Sequence, residues 1–262
     1  MEWLTLILLA TATFLGSAVQ TAFGFGFAIL VAPLFLVAMD STSAVPVLAV
    51  LNLGASAIGV AGLWRAVPSR LLGLLCLGSV AGFPFGLVLH ARASVADLKL
   101  SVGCVIMLFA LFLLVRERGH PSSALNQPFD GPTDEGSADT KNPSAVSAIL
   151  VGIVSGSMAA ALAMPGPAAM FYLTMLRLEK LQSRAVSLAL FTFSYASASV
   201  LHIAFGSFNR TDLGISAGLL PFVLFGALAG GTLARHISEA AFRQWVLLIL
   251  FVAGLYAVFS AR

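Results

Sequence analysis

The few residues able to do chemistry in this sequence are polar side chains and glycines set inside long apolar runs. Gln20 and Thr21 precede Phe23-Gly24-Phe25-Gly26, and the apolar run continues past Pro33. Ser155-Gly156-Ser157 opens a second such stretch, which runs on to Pro165-Gly166-Pro167. Glycine lets a helix open and bare its backbone, and in lipid an opened backbone must line a cavity or bury in protein. A helix that restarts after such a break points N–H groups and a partial positive charge at the gap, which suits an anion. Pro167 fits the first turn of a restarting helix, where its missing N–H costs nothing. The two stretches are expected to face each other in the bilayer and bind a small anion, with Gln20, Thr21, Ser155 and Ser157 as added donors.

Further polar residues lie within apolar segments. Asn52 suits helix-to-helix hydrogen bonding as well as ligand contact. Ser194, Tyr195 and their neighbours Thr192, Ser197 and Ser199 could line a path, or bond back to their own helix. His202 lies well inside a segment, where a neutral ring makes a structural hydrogen bond and a protonated one would attract an anion. His90 and His236 fall at segment ends near arginines, and His120 falls in a polar region. No two histidines have the spacing of a metal or haem site, and Cys76 and Cys104 form no paired motif. No metal or cofactor is expected. The glycines themselves have a plainer reading, since small residues let membrane helices approach closely. Pro165-Gly166-Pro167 likewise fits a simple kink.

What must position these residues follows from composition. The chain is 59% hydrophobic and only 10% charged over 262 residues, with a mean hydropathy of +1.00. A soluble domain carries roughly 25% charged residues, so the chain is expected to be an all-α polytopic membrane protein. The net charge of +3 then reads as loop arginines that set topology rather than as a nucleic-acid surface. The start, Met1-Glu2-Trp3, lacks the basic region of a cleavable signal peptide.

Apolar segments fall at roughly 3–22, 26–39, 44–63, 71–89, 100–115, 146–161, 166–176, 186–206, 214–234 and 244–261, giving about 8–10 membrane segments. A polar stretch at 116–145, rich in Gly, Pro, Ser and acids, separates an N-terminal repeat (1–115) from a C-terminal one (146–262). Gly82 to Val115 aligns without gaps on Gly226 to Phe259, so that Gly82 and Gly86 meet Gly226 and Gly230. Upstream, Gly24 and Pro33 align on Gly156 and Pro165. If each half crosses an odd number of times, ten basic residues share one side and Arg92, Lys99, Arg210 and Arg262 the other. If each broken stretch crosses once, the split is seven against seven. Because positive residues gather on the cytoplasmic side, inverted repeats are preferred, with the 116–145 linker inside and both termini outside. Each repeat is then a broken or re-entrant helical hairpin plus three transmembrane helices. Broken helices in inverted repeats hold substrate near the midplane in many transporters.

The sequence FGFGFAILVAPLFL near the N-terminus, its proline-containing counterpart after the acidic linker, the size and the paired halves resemble the TauE/SafE sulfite exporter family. The resemblance implies export of sulfite, organosulfonates or related sulfur oxyanions across the bacterial cytoplasmic membrane. The second copy departs from the family's glycine-rich pattern, reading Met158-Ala159-Ala160-Ala161-Leu162-Ala163-Met164.

All eleven acids fall at segment ends or in the linker. With no carboxylate at membrane depth, cation transport is disfavoured. No segment interior is expected to hold an acid or base other than histidine. An enzyme is not expected, because no nucleophile–base pair or metal cluster lies at that depth. Remaining alternatives are a carrier or channel for another anion, such as thiosulfate or a carboxylate, and a non-transporting scaffold. The expected partners are a small anion and membrane lipid, with a homodimer compatible with the sequence.

Overall fold

The computed structural model describes residues 3–119, 144–176 and 178–233. The segment expected at 244–261 and most of the 116–145 linker lie outside the described residues. The described residues fold into α1 (Trp3–Phe23), α2 (Phe27–Met39), α3 (Ala44–Ala61), α4 (Ser69–Arg92), α5 (Val95–Gly119), α6 (Ala145–Leu162), α7 (Gly166–Met175), α8 (Lys180–Ala204) and α9 (Arg210–Leu233). A 3-10 turn at Trp64–Ala66 links α3 to α4. All but α2 and α7 are long and apolar enough to cross a membrane, as a span of about 30 Å requires roughly 20 residues. α3 and α8 are the most enclosed, whereas α4, α5 and α9 turn large apolar residues such as Leu77, Phe85, Leu108, Phe222 and Phe225 outward.

Two helix starts are closed by their own side chains. At the start of α5, Ser94 and Asp97 cap each other reciprocally, with the Ser94 N–H donating to Asp97 Oδ2 at 2.9 Å and the Asp97 N–H to Ser94 Oγ at 3.2 Å. Asn209 and Asp212 repeat the arrangement at α9. Each pair satisfies orphan donors of a first turn. An ion pair, Lys99 Nζ to Asp40 Oδ1 at 2.7 Å, ties the start of α5 to the end of α2.

Two glycine seams set the packing. On α4, Gly78, Gly82 and Gly86 recur every fourth residue and so share one face. A Cβ at Gly82 would collide with the Ile153 carbonyl and come within 2.9 Å of the Ser157 nitrogen. Gly78 meets Ile149 and Gly152 in the same way, and Gly86 meets Ser157 and Ala160. α4 and α6 therefore run parallel, backbone against backbone. Ser79 and Ser157 hydroxyls donate across the seam to the Gly152 and Gly82 carbonyls at 3.2 and 3.0 Å. The second seam joins α9 to α1, where Gly226 meets Phe14 and Gly230 meets Ala18. There Ser17 Oγ donates to the Val223 carbonyl at 2.7 Å. Gly82 and Gly86 thus make the contacts that Gly226 and Gly230 make, as their sequence alignment implied.

These matched contacts also correct one alignment. Phe14 and Ala18 occupy the places of Ile153 and Ser157, a constant offset of 139 residues. The same offset pairs Gly24 with Ala163, and both have left-handed backbones, φ 86° and 53°. Gly156, which the sequence set opposite Gly24, is helical and packed on Ser79. The interruption of the second stretch falls later, at 163–165.

Candidate functional site

At each interruption a short helix folds back on the long one before it. α1 ends at Phe23, and Gly24 and Gly26 (φ 86° and 116°) take conformations that L side chains rarely adopt. α2 then returns along α1, so that a Cβ at Gly16 would strike Val31 and lie 3.3 Å from the Phe27 ring. Gly26 is the N-cap of α2 and provides no side-chain cap, leaving that first turn of N–H groups to other partners. In the second stretch Ala163 closes α6, with its N–H donating to the Ala159 carbonyl at 3.0 Å. Pro165 caps α7, also without a side-chain hydrogen bond, and Ser155 Oγ donates across the gap to the Pro165 carbonyl at 2.9 Å.

The expected site residues divide into three groups. Around the first interruption, Gln20 Nε2 donates to the Asn52 carbonyl at 3.5 Å. Asn52 Nδ2 donates back to Leu48 at 3.0 Å, while its Oδ1 is buried without a partner. The Thr21 hydroxyl is also buried and unpartnered. Phe25 stands edge-on to Phe109, with centroids 5.9 Å apart, and Phe23 is half-buried beside it in sequence. Around the second interruption, the Tyr195 hydroxyl donates to the Ala163 carbonyl at 3.2 Å, and Gly166 lies under the Phe191 ring. Ser194 is fully buried and its hydroxyl has no partner. Gly156 and Ser157 form a third group, on the α4 face of α6, in the glycine seam.

His202 Nε2 donates to the Ala160 carbonyl at 3.0 Å. Its neighbour is His90, which the sequence placed at a segment end near arginines. His90 lies in the last turn of α4, two residues before Arg92, and is buried there, donating from Nδ1 to the next carbonyl, Ala161, at 3.3 Å. The two rings meet edge to face with centroids 4.7 Å apart. Both carbonyls belong to the last turn of α6, so the histidines close that helix end from two neighbouring spans. Carbonyls only accept, which fixes a proton on His202 Nε2 and on His90 Nδ1.

Arg184 was missed altogether as a site residue. The sequence began its segment at 186, behind the charges, but α8 begins at Lys180, which puts Arg184 one turn inside the helix. Its guanidinium donates from Nη2 to the Thr21 carbonyl. A Cβ at Gly24 would lie 3.0 Å from Arg184 Cγ and 3.1 Å from its Cα. Arg184 thus lies in the opening turns of α8, ahead of the segment expected at 186–206 and beside the first interruption. The two interruptions flank α8 at different heights, the first beside Arg184 and the second reached by Phe191 and Tyr195, two to three turns further along. They share one apolar core that includes Phe27, Met164, Phe191 and Tyr195. Among the described residues no group of three His, Cys, Asp or Glu could hold a metal ion.

Comparison with curated proteins and with solved structures gave no match. The family model described as sulfite exporter TauE/SafE matches residues 8–257. Both interruptions, both glycine seams and the helices between them fall inside that match, and the chain belongs to the TauE/SafE sulfite exporter family.

Proposed function

We propose that this protein exports a small sulfur-containing oxyanion, sulfite or an organosulfonate, across the bacterial cytoplasmic membrane. One observation carries the reading: α2 begins at a left-handed glycine, inside the protein, with no side chain closing its first turn. Such a helix start is a preformed anion site. Pro165 begins α7 in the same uncapped way. Family membership supplies the substrate class. The matched seams and the shared left-handed positions support two repeats, each a re-entrant hairpin followed by spans. The charge distribution supports their inversion, with the linker cytoplasmic and the termini outside.

Export needs no coupled ion. A potential negative inside drives an anion out by about 2.3 kcal/mol per charge per 100 mV. The test is efflux from proteoliposomes with the potential clamped by a potassium gradient and ionophore. Sulfite and simple sulfonates should leave faster as the interior becomes more negative. Flux indifferent to potential would overturn the uncoupled mechanism. No flux of sulfite, sulfonates, thiosulfate or carboxylates would overturn transport itself and leave a scaffold.

A further inference from the structure

We propose that Arg184, together with Thr21 and the first turn of α2, is the charged ligand set of an oxyanion site, and that the anion takes the guanidinium from the Thr21 carbonyl. The inference rests on the transport reading above and names a residue that reading did not require. In the proposed orientation this is the cytoplasmic end of the hairpin, where an exported anion loads.

A guanidinium half-buried near the start of a span is held by a partner or a functional need. The ion pair found among the described residues is Lys99–Asp40, so Arg184 has no carboxylate there. Its hydrogen bond goes to a neutral backbone carbonyl through Nη2. Its Nε is buried and has no partner. A neutral acceptor for one of five donors leaves most of the fork unused. Beside it, Thr21 is 4% exposed and its hydroxyl also lacks a partner. The left-handed Gly24 lets the hairpin tip settle against the arginine stem, because any side chain there would meet Arg184 at 3.0–3.1 Å. Two residues further on is Gly26, where α2 starts uncapped. A cation with spare donors, a buried hydroxyl and a helix start thus converge on one tip.

The chemistry narrows the ligand. The planar fork of arginine matches two oxygens of one anion, a geometry a halide cannot use. Sulfite and sulfonates present such oxygens. The competing role is simpler: a basic side chain closing the C-terminal carbonyls of α1. That role needs one N–H and gives the anion no part.

Two measurements separate these roles. In the first, full-length protein is treated with phenylglyoxal, and modification at each arginine is read by peptide mass spectrometry with and without methanesulfonate. Methanesulfonate should slow modification of Arg184 at least several-fold, leave the exposed Arg65 and Arg92 unchanged, and be matched by no protection from chloride. Equal labelling of Arg184 with and without the sulfonate overturns the proposal. In the second, Arg184→Lys and Arg184→Gln are compared in proteoliposomes. Glutamine should raise KM by roughly 10- to 100-fold, the size of one lost charge-assisted pair, with Lys between and the melting temperature held. An unchanged KM in Arg184→Gln refutes the proposal while transport stands. The labelling experiment needs neither transport nor a stable variant, so it decides the matter alone if flux is absent.

Discussion

Changing Gly82 to alanine adds one methyl group at the tightest part of the α4–α6 seam. The new Cβ would overlap the Ile153 carbonyl and lie 2.9 Å from the Ser157 nitrogen. Both are backbone atoms, so neither can swing away, and the two helices must part by about 1 Å to restore van der Waals contact. Overpacking of this kind costs about 1–3 kcal/mol. Gly73 lies on the same helix, and a Cβ there meets nothing within 4 Å. Gly73→Ala therefore changes only helix propensity, which favours alanine by roughly 1 kcal/mol. Gly82→Ala gains the same propensity, so the two substitutions should differ by the overpacking alone, about 1–3 kcal/mol. At roughly 2–4 °C per kcal/mol for a chain of this size, that is a gap of about 2–12 °C in unfolding midpoint. The assay is thermal unfolding of the purified variants in one detergent. Gly230→Ala against Gly231→Ala repeats the contrast on α9, since Gly230 abuts Ala18 and Gly231 has open space. Equal midpoints within each pair would refute the claim that the glycines are there to let backbones touch.

Gly24→Leu and Pro165→Leu should each abolish anion flux in proteoliposomes while the protein still inserts and purifies; normal flux in both would sink the interrupted-helix site. His202→Leu leaves the buried Ala160 carbonyl without its donor and should cost about 1–3 kcal/mol. His202→Gln keeps a donor and should melt closer to the parent, whereas an equal loss in both would mean the hydrogen bond is unimportant. Asp40 closes α2 in a left-handed conformation, φ 42°, which costs asparagine less than alanine. Asp40→Asn should therefore lose little more than an exposed ion pair, under about 1 kcal/mol, and Asp40→Ala about 1 kcal/mol beyond that.

Length and apolarity made most helices legible, because a membrane span has a fixed thickness to fill. The 3–22 and 146–161 segments became Trp3–Phe23 and Ala145–Leu162. The first interruption was legible too, since Gly24 and Gly26 are residues that a left-handed backbone favours. The second was harder to place. Ala163 is left-handed, yet alanine is the best helix former and sits in a run of its own kind, so nothing local marks it. Arg184 was hidden by the habit of ending apolar segments at charges, although a long arginine stem can lie along a helix while its head finds a partner. The His90–His202 contact joins residues on different helices, far apart in the chain, and no spacing rule reaches across that distance. The glycine seam was readable in part: the fourfold spacing of Gly78, Gly82 and Gly86 signals a close contact, but not with which helix.

Each seam crosses between the halves of the chain: α4 of the first lies on α6 of the second, and α9 of the second lies on α1 of the first. The long helix of each hairpin is thus closed along its seam by a span of the other half. A half made alone would show lipid a row of bare glycine backbone, with the Ser79 or Ser17 hydroxyl robbed of its acceptor across the seam. If the protein moves by rocking, the unit that moves as one piece is a hybrid, a hairpin from one half fastened to a span from the other. Tilting either hybrid would then shift material from both halves at once, since each seam fastens one half to the other.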